Sequence, residues 1–456
     1  MKFIGDRKFY KKVSVIALPI VIQNSVSFLI NFVDNIMVGQ LGTEAMSGVA
    51  IVNQLVYVLN TCILGVISGA SIFGAQFYGS KDYRSLKGTF RFRMAACITL
   101  AVMALVFFGF MGDKLILLFL HSQNLMELAH TLSLGKQYLV IIMISLVPSA
   151  LTQVYSSTAR DIGKTFLPMC ASVTAVILNT VLNYILIFGF LGFPELGVKG
   201  AAIATVIARF VECIIIITAA HIKKETYIFT RREPLKTEPA LIKRITKTGA
   251  PLMINEFFWS IGSVIVIQCY SMRGINVIAG INIATTIYNI FSIFYMAVGS
   301  CIAIMTGQLL GAGKMEEARD TDNKLIFLAV ASSFIVAVFM AASAPFIPKL
   351  YNTSDEVHKL AAYLIYILAL CIPFTSLVHA EFFTIRAGGN TIITFLFDSS
   401  VLWLIRVPLA FFLIRCTEID IVLIYLICQM TEIIKCIIGF ILVKKGVWLN
   451  KITSDI

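Results

Sequence analysis

The stretch "VSVIALPIVIQNSVSFLINFVDNIMV", residues 13–38, contains a single ionisable side chain, Asp34. About 20 mostly apolar residues are enough to cross ~30 Å of hydrocarbon as a helix, and this run is longer. Its other strongly polar groups are Gln23, the amides Asn24, Asn31 and Asn35, and a few serines. A carboxylate inside hydrocarbon costs at least ~2.5–3.5 kcal/mol on insertion scales, so Asp34 needs a partner, a wet cavity or a proton.

The rest of the chain follows the same pattern. Of 456 residues, 58% are hydrophobic and only 14% charged, against roughly 25% charged in a soluble protein. The apolar residues fall in long unbroken blocks, without the ten-residue alternation of a transmembrane β-barrel. The expected class is therefore an all-α polytopic membrane protein. Ten cysteines are scattered, mostly within apolar segments and with no CxxC pair, and read as small buried hydrophobes. The N-terminal Lys2, Arg7, Lys8, Lys11 and Lys12 followed by an apolar run mimic a secretory signal. That run is too long for one and lacks an Ala-x-Ala cleavage site, so it reads as a first transmembrane helix.

Twelve spans are expected, at 13–38, 47–73, 94–120, 132–156, 165–191, 197–220, 248–271, 277–305, 324–348, 359–385, 391–415 and 419–443. With the N-terminus inside, 27 of the 37 Lys and Arg fall on the inner side and 7 on the outer. A bias of that size places both termini in the cytoplasm of a multi-pass inner or plasma membrane protein. It also explains the net charge of +12 without nucleic acid as a partner. The longest polar connection, 221–247, lies at the midpoint and divides the chain into an N-lobe (1–220), a linker and a C-lobe (248–456).

The two halves match in register. "ALPIVIQN" (17–24) aligns with "GAPLMINE" (249–256) at an offset of 232, placing Pro19 on Pro251. The same offset pairs "GAQFYGSK" (74–81) with "TGQLLGAG" (306–313). Further along, "STARDIGKT" (157–165) meets "FTIRAGGNT" (383–391), with Arg160 on Arg386. Six helices per half, both entering from one side, make a parallel repeat: two pseudo-symmetric six-helix lobes. Transporters built this way bind substrate between repeats and rock one half against the other. No HExxH, nucleotide-type GxGxxG or GxxxxGK[ST] motif is present, and the five His lie far apart. An enzyme is not expected, nor a cofactor. Without a nucleotide site, transport has to draw on an H⁺ or Na⁺ gradient.

"FVDNIMVGQLG" (32–42), "ARDIGKT" (159–165), "LNYILIFG" (182–189) and "LGVKGAAIATVIAR" (196–209) resemble the multidrug and toxic compound extrusion (MATE) family. "GAPLMINEFFWSIG" (249–262) and "GQLLGAGKMEEA" (307–318) extend the likeness into the second half. The resemblance implies twelve helices in two lobes and export of mostly cationic, lipophilic compounds against entering Na⁺ or H⁺. In one bacterial branch the coupling site is an N-lobe set that matches Asp34, Asn179, Asn183 and Thr205. The second fifth-helix position is Asn183 here where that branch has Asp. Another branch uses a seventh-helix Glu, matching Glu256, with a tenth-helix Asp. That Asp falls near Thr375 here, which leaves Glu381, one or two turns on, as a stand-in.

Helix rise offers a separate check on these positions. At 1.5 Å per residue, Asp34 lies about 30 Å along its helix, Asn179 and Asn183 about 21 and 27 Å along theirs. Thr205 lies about 12 Å from the outer start of the sixth helix, so all four fall in the outer half. Asn179 and Asn183, four apart, share a helix face. A carboxylate, two amides and a hydroxyl form an all-oxygen set suited to a hard cation, or else the carboxyl itself carries a proton. The alternatives are a hydrated interfacial Asp and plain interhelical hydrogen bonds for the amides.

In the other lobe Glu256, Asp398, His379 and Glu381 lie in the inner half, as a possible site for an organic cation or a second proton. The alternative there is a bracing network. Arg406, Glu432 and Lys435 near mid-membrane, and Arg209 with Glu212, have the spacing of structural ion pairs. The resulting expectation is a monomeric exporter of lipophilic organic cations and drugs. The rival is a flippase of lipid-linked precursors, which would need several intramembrane Lys and Arg for a diphosphate. Only Arg209, Arg406 and Lys435 are available.

Overall fold

The structure, a computed structural model, describes residues 3–119, 125–229, 238–351 and 353–453. All regular structure among these residues is helical. Twelve helices among the described residues are long and apolar enough to span a bilayer. They are α1 (Arg7–Gly39), α2 (Thr43–Gly79), α3 (Tyr83–Phe119), α4 (Met126–Asp161), α5 (Phe166–Phe188) and α6 (Val198–Ile222), then α7 (Pro239–Ser271), α8 (Asn276–Gly311), α9 (Met315–Ser343), α10 (Asp355–Ala387), α11 (Thr391–Cys416) and α12 (Ile421–Lys444).

Each expected span overlaps one of these helices. Spans 165–191 and 324–348 run past the helix ends at Phe188 and Ser343, and residue 120 of the third span lies outside the described residues. Several helices also start well before the apolar stretch. α3 begins at Tyr83 and α9 at Met315, ahead of apolar runs that start at 94 and 324. Hydropathy marks the part facing hydrocarbon, whereas the helix continues through the polar interface.

Three helices carry local irregularities with identifiable causes. α4 tightens to a 3₁₀ turn at Met143–Ser145, just before Pro148, whose ring would clash with the carbonyl four residues back. α11 widens to a π turn over Leu402–Arg406, ahead of Pro408 for the same reason. α12 breaks at Thr431, whose hydroxyl donates to the Cys428 carbonyl at 2.7 Å and so interrupts the ladder.

The chain packs as two compact units. One comprises Met1–Val21, Ala75–Asp82 and Lys243–Ile456, here the C-terminal unit; the other comprises Ile22–Gly74 and Tyr83–Ile242, the N-terminal unit. The units follow the two halves of the chain except that the start of α1 and the end of α2 join the C-terminal one. In that unit Val13, Ile16 and Ile20, one face of α1, pack on Ala297, Cys301 and Met305 of α8 and on Leu325 of α9. Gln76 donates through Nε2 to the carbonyls of Ala387 (3.0 Å) and Asn450 (3.1 Å) and accepts from Ile452 N (2.9 Å). A Cβ on Gly79 would lie 1.9 Å from Gln308 O, and one on Gly311 would lie 1.9 Å from Gln76 O. These are mates at the offset of 232, so the two copies of Gln-x-x-Gly cross reciprocally.

In the N-terminal unit, the start of the long polar connection is packed. Tyr227 is fully buried, its ring 5.2 Å from Phe90 and 6.3 Å from Tyr155, and Lys164 donates to Glu225 at 2.6 Å. From Pro239 the connection is already helix α7, and residues 230–237 lie outside the described set. Seven of the ten cysteines are buried thiols.

Candidate functional site

A cavity of about 500 Å³ opens in the N-terminal unit, and Asp34, Asn179, Asn183 and Thr205 all line it. Three helices converge there: α1 brings Asp34, α5 the two amides, α6 the hydroxyl. Asn183 Nδ2 donates to Asp34 Oδ1 at 2.8 Å. The Asn179 amide satisfies its surroundings with nitrogen toward the acid, donating to Asp34 Oδ2 at 2.6 Å. Its oxygen then accepts from Thr205 Oγ1 (3.3 Å) and Thr205 N (3.2 Å). Both carboxylate oxygens therefore have a donor, which is how a buried acid avoids the penalty of lost hydration.

One atom in this set has no partner: Asn183 Oδ1, on a side chain only 2% exposed. An orphaned buried acceptor costs of order 1–3 kcal/mol. A cation beside Asp34 and Asn183 Oδ1 would satisfy it, since oxygen donors suit hard cations. Asn179 would add its own Oδ1 only on turning that oxygen from Thr205 toward the acid, and with that turn the donor set fits Na⁺. Sequence reading missed Asn53 and Tyr138 on the same wall, joined by a hydrogen bond of 3.3 Å from the phenol. An amide inside the apolar second span was the available signal for Asn53. Arg209 lines the cavity too, and its Nη1 bonds Glu212 Oε2 at 2.8 Å.

A second cavity, about 430 Å³, lies in the C-terminal unit. Glu256, His379 and Asp398 line it, together with Arg386, Arg406, Glu432 and Lys435. Lys435 Nζ reaches Asp398 Oδ1 at 2.9 Å, and Arg406 Nη1 reaches Glu432 Oε1 at 3.1 Å. Asn255, which sequence reading passed over beside Glu256, donates to Asp398 Oδ2 at 3.0 Å and accepts from Ser399 Oγ at 2.7 Å. The π turn of α11 and the break in α12 both contribute to this wall, supplying Arg406 and Thr431. Asp398 and Glu432 are thus committed to bases. Glu256 has neither an ion pair nor a hydrogen bond among the described residues and stands half-buried at the cavity.

Glu381 is not part of this arrangement. Thr375 lines the cavity, whereas Glu381 is fully buried and does not line it. Two turns of helix carry it instead toward α9 and α12, where a Cβ on Gly439 would come within 2.0 Å of its Oε2.

Repeated helical halves, each with a polar cavity inside an apolar bundle, define a polytopic membrane transporter. The MatE family pattern matches residues 19–185 and 251–412, beginning at the two repeat prolines, and the chain belongs to that family, the MATE transporters. It is 25% identical over 415 residues to the "Probable multidrug resistance protein NorM" of Thermotoga maritima, across 89% of this chain and 86% of that one. It is 23% identical over 415 residues to the "Probable multidrug resistance protein YoeA" of Bacillus subtilis, across 90% and 88%. A solved outward-facing multidrug resistance MATE family transporter of the MOP superfamily has TM-score 0.86 at 19% identity, across 99% and 98% of the chains. A MOP superfamily transporter from Pyrococcus furiosus has TM-score 0.85 at 20% identity, across 98% and 97%. At these identities the structural likeness is one of fold. Twelve apolar helices and bacterial relatives of this kind make the chain a multi-pass plasma membrane protein.

Proposed function

We propose that this transporter is a cation-coupled antiporter that exports lipophilic, mostly cationic compounds in exchange for H⁺ or Na⁺. It acts as a monomer with both termini in the cytoplasm and alternates access by rocker-switch motion. The observation that carries the reading is Asp34, bonded by two α5 amides in a cavity whose Asn183 Oδ1 has no partner. An ion moves a two-state equilibrium only through differential affinity. The amides hold the carboxylate with N–H donors here, and turning their oxygens inward would create the cation-binding form of the same site. Glu256, unpaired at the other cavity, supplies a negative charge for an organic cation. The flippase reading is disfavoured because Arg209, Arg406 and Lys435 each pair with a carboxylate, at 2.8, 3.1 and 2.9 Å.

The test is dye efflux from proteoliposomes under separately imposed Na⁺ and pH gradients. Asp34→Asn is expected to bring gradient-driven efflux to background while Glu256→Gln keeps the coupling and loses affinity for cationic dyes. Full efflux in Asp34→Asn would overturn the assignment. Loss confined to Glu256→Gln would move coupling to the C-terminal unit.

A further inference from the structure

We propose that Asp322 of α9 and Glu381 of α10 form a proton-binding site in the C-terminal unit, holding one proton between two carboxyl groups. Asp322 is 0% exposed and Glu381 1%. Asp322 Oδ2 and Glu381 Oε2 are buried without a hydrogen-bond partner, and among the described residues neither acid has an ion pair. Among the described residues, the donor that reaches Asp322 Oδ1 is the hydroxyl of Thr384, 2.7 Å from it and 2.9 Å from the carbonyl of Ala380. A threonine hydroxyl has one proton and cannot serve both.

The repeat shows where that proton goes. Thr158 and Val154 of α4 are the mates of Thr384 and Ala380 at the offset of 226. There the hydroxyl donates to the Val154 carbonyl at 2.8 Å and accepts from Arg93 Nη1 at 3.0 Å. Arg93 in turn pairs with Asp161, and both are buried. In the C-terminal unit the hydroxyl faces Asp322 where its mate faces a guanidinium. If it keeps its bond to the carbonyl behind it, the group opposite has to be a donor. A carboxylic O–H is one and a carboxylate is not.

Two further features fit. Gly439 leaves room beside Glu381 Oε2 that a Cβ would occupy. Thr306 of α8 also has a fully buried hydroxyl without a partner. It is the mate of Gly74, whose Cβ position points within 2.3 Å of Asp161 Oδ2, and the repeat gives Thr306 the same heading. Among the described residues no base forms an ion pair with either acid. Lys435 is held by Asp398, Lys324 by Asp320, and Arg386 lies over the Phe383 ring at 5.6 Å. His379 packs its ring against Tyr295, with centroids 5.2 Å apart and planes tilted by 35°, and Arg319 points toward Gly446. The Cys436 thiol is a titratable neighbour of Glu381, and Cys301 packs with Ala380 in the apolar cluster that includes Val13, Ile16 and Ile20 of α1. Glu381 lies one turn before Thr384 on α10, whose hydroxyl reaches Asp322, and the two acids act on each other electrostatically. Two neighbouring buried acids without a counter-charge cannot both ionise, and the proton belongs to the pair.

This site is separate from the Asp34 cavity, and its test does not depend on transport. Infrared spectra of the purified full chain in lipid, in H₂O and D₂O, should show a protonated carboxyl band. The band is expected to persist in Asp34→Asn and Glu256→Gln, to be lost in Asp322→Asn/Glu381→Gln, and to shift in Gly439→Ala. The amide variants keep shape and hydrogen-bonding capacity, and the thermal midpoint of each single variant checks folding. A band unchanged in the double variant would overturn the proposal. So would carboxylate bands alone that shift on adding Na⁺, which would make the pair a sodium site.

Discussion

Beside Thr158 the N-terminal unit buries a guanidinium paired with Asp161; beside Thr384 the C-terminal unit buries a carboxyl near a second one. The two places are mates in the repeat, on helices of the same order and with the same threonine bonded back to its own helix. The difference is one of charge balance. Arg93 and Asp161 neutralise each other whatever the ion gradient does. Asp322 and Glu381 are balanced only by something that binds, which makes the second place responsive where the first is fixed. At the two cavities the roles are reversed. The N-terminal cavity holds Asp34, bonded by two neutral amides, while most acids of the C-terminal cavity are tied to Arg406 and Lys435. A duplicated scaffold has thus separated fixed from exchangeable charge, and has done so differently in each unit.

Removing the fixed charge should have the largest effect. Arg93→Met removes the guanidinium from beside buried Asp161, and strips Ser157 and Thr158 of their donor. Breaking a buried pair from one side costs about 3–5 kcal/mol, whereas replacing both partners by apolar groups is often nearly neutral. The variant should melt far below wild type in detergent, and Arg93→Met/Asp161→Leu should recover most of the loss. A wild-type melting temperature for Arg93→Met would show that the pair does not hold the unit together. The contrast with Asp322 would then fail as well.

The reciprocal crossing at Gly79 and Gly311 gives a comparison of intermediate size. Alanine at either position places a Cβ 1.9 Å from a carbonyl oxygen of the partner segment. Overpacking against backbone costs roughly 1–3 kcal/mol. Because the contacts are mates, Gly79→Ala and Gly311→Ala should lower the thermal midpoint by similar amounts. A strong effect from one and none from the other would mean that the two-fold relation is lost at this crossing.

What the sequence revealed follows from where each charge lies. Asp34, Glu256 and Asp398 stand out because they interrupt apolar runs, and the twelve runs themselves are the fold. Arg93, Asp161 and Asp322 lie just outside the apolar stretches at 94–120, 132–156 and 324–348, in surroundings such as "MEEARDTDNK" (315–324), and read as loop charges. They are buried because α3, α4 and α9 run on past the hydrocarbon and pack against their neighbours. Hydropathy has no term for that. The convergence of Asp34, Asn179, Asn183 and Thr205 came from family likeness supported by depth. Neither could have given the orientation of the amides, which depends on local hydrogen bonding. Glu381 was legible as an intramembrane acid, but its partner was not, and its rotation away from the cavity is a property of packing.

The smallest expected effect bears on the ion. Asn183→Asp places a second carboxylate beside Asp34, where the amide now donates at 2.8 Å. If Na⁺ is the coupling ion, the added charge should lower the half-saturating Na⁺ concentration for efflux at least several-fold. A unit charge at 4 Å is worth about 1 kcal/mol even in bulk water. If the proton is the coupling ion, the same substitution should leave Na⁺ without effect and move the pH dependence, since the two acids would then share a proton. The fold should tolerate either outcome, because Asn and Asp are alike in shape. One substitution in the N-terminal unit therefore reproduces there the paired acids already present in the C-terminal one, and it distinguishes the two ions by which gradient still drives export.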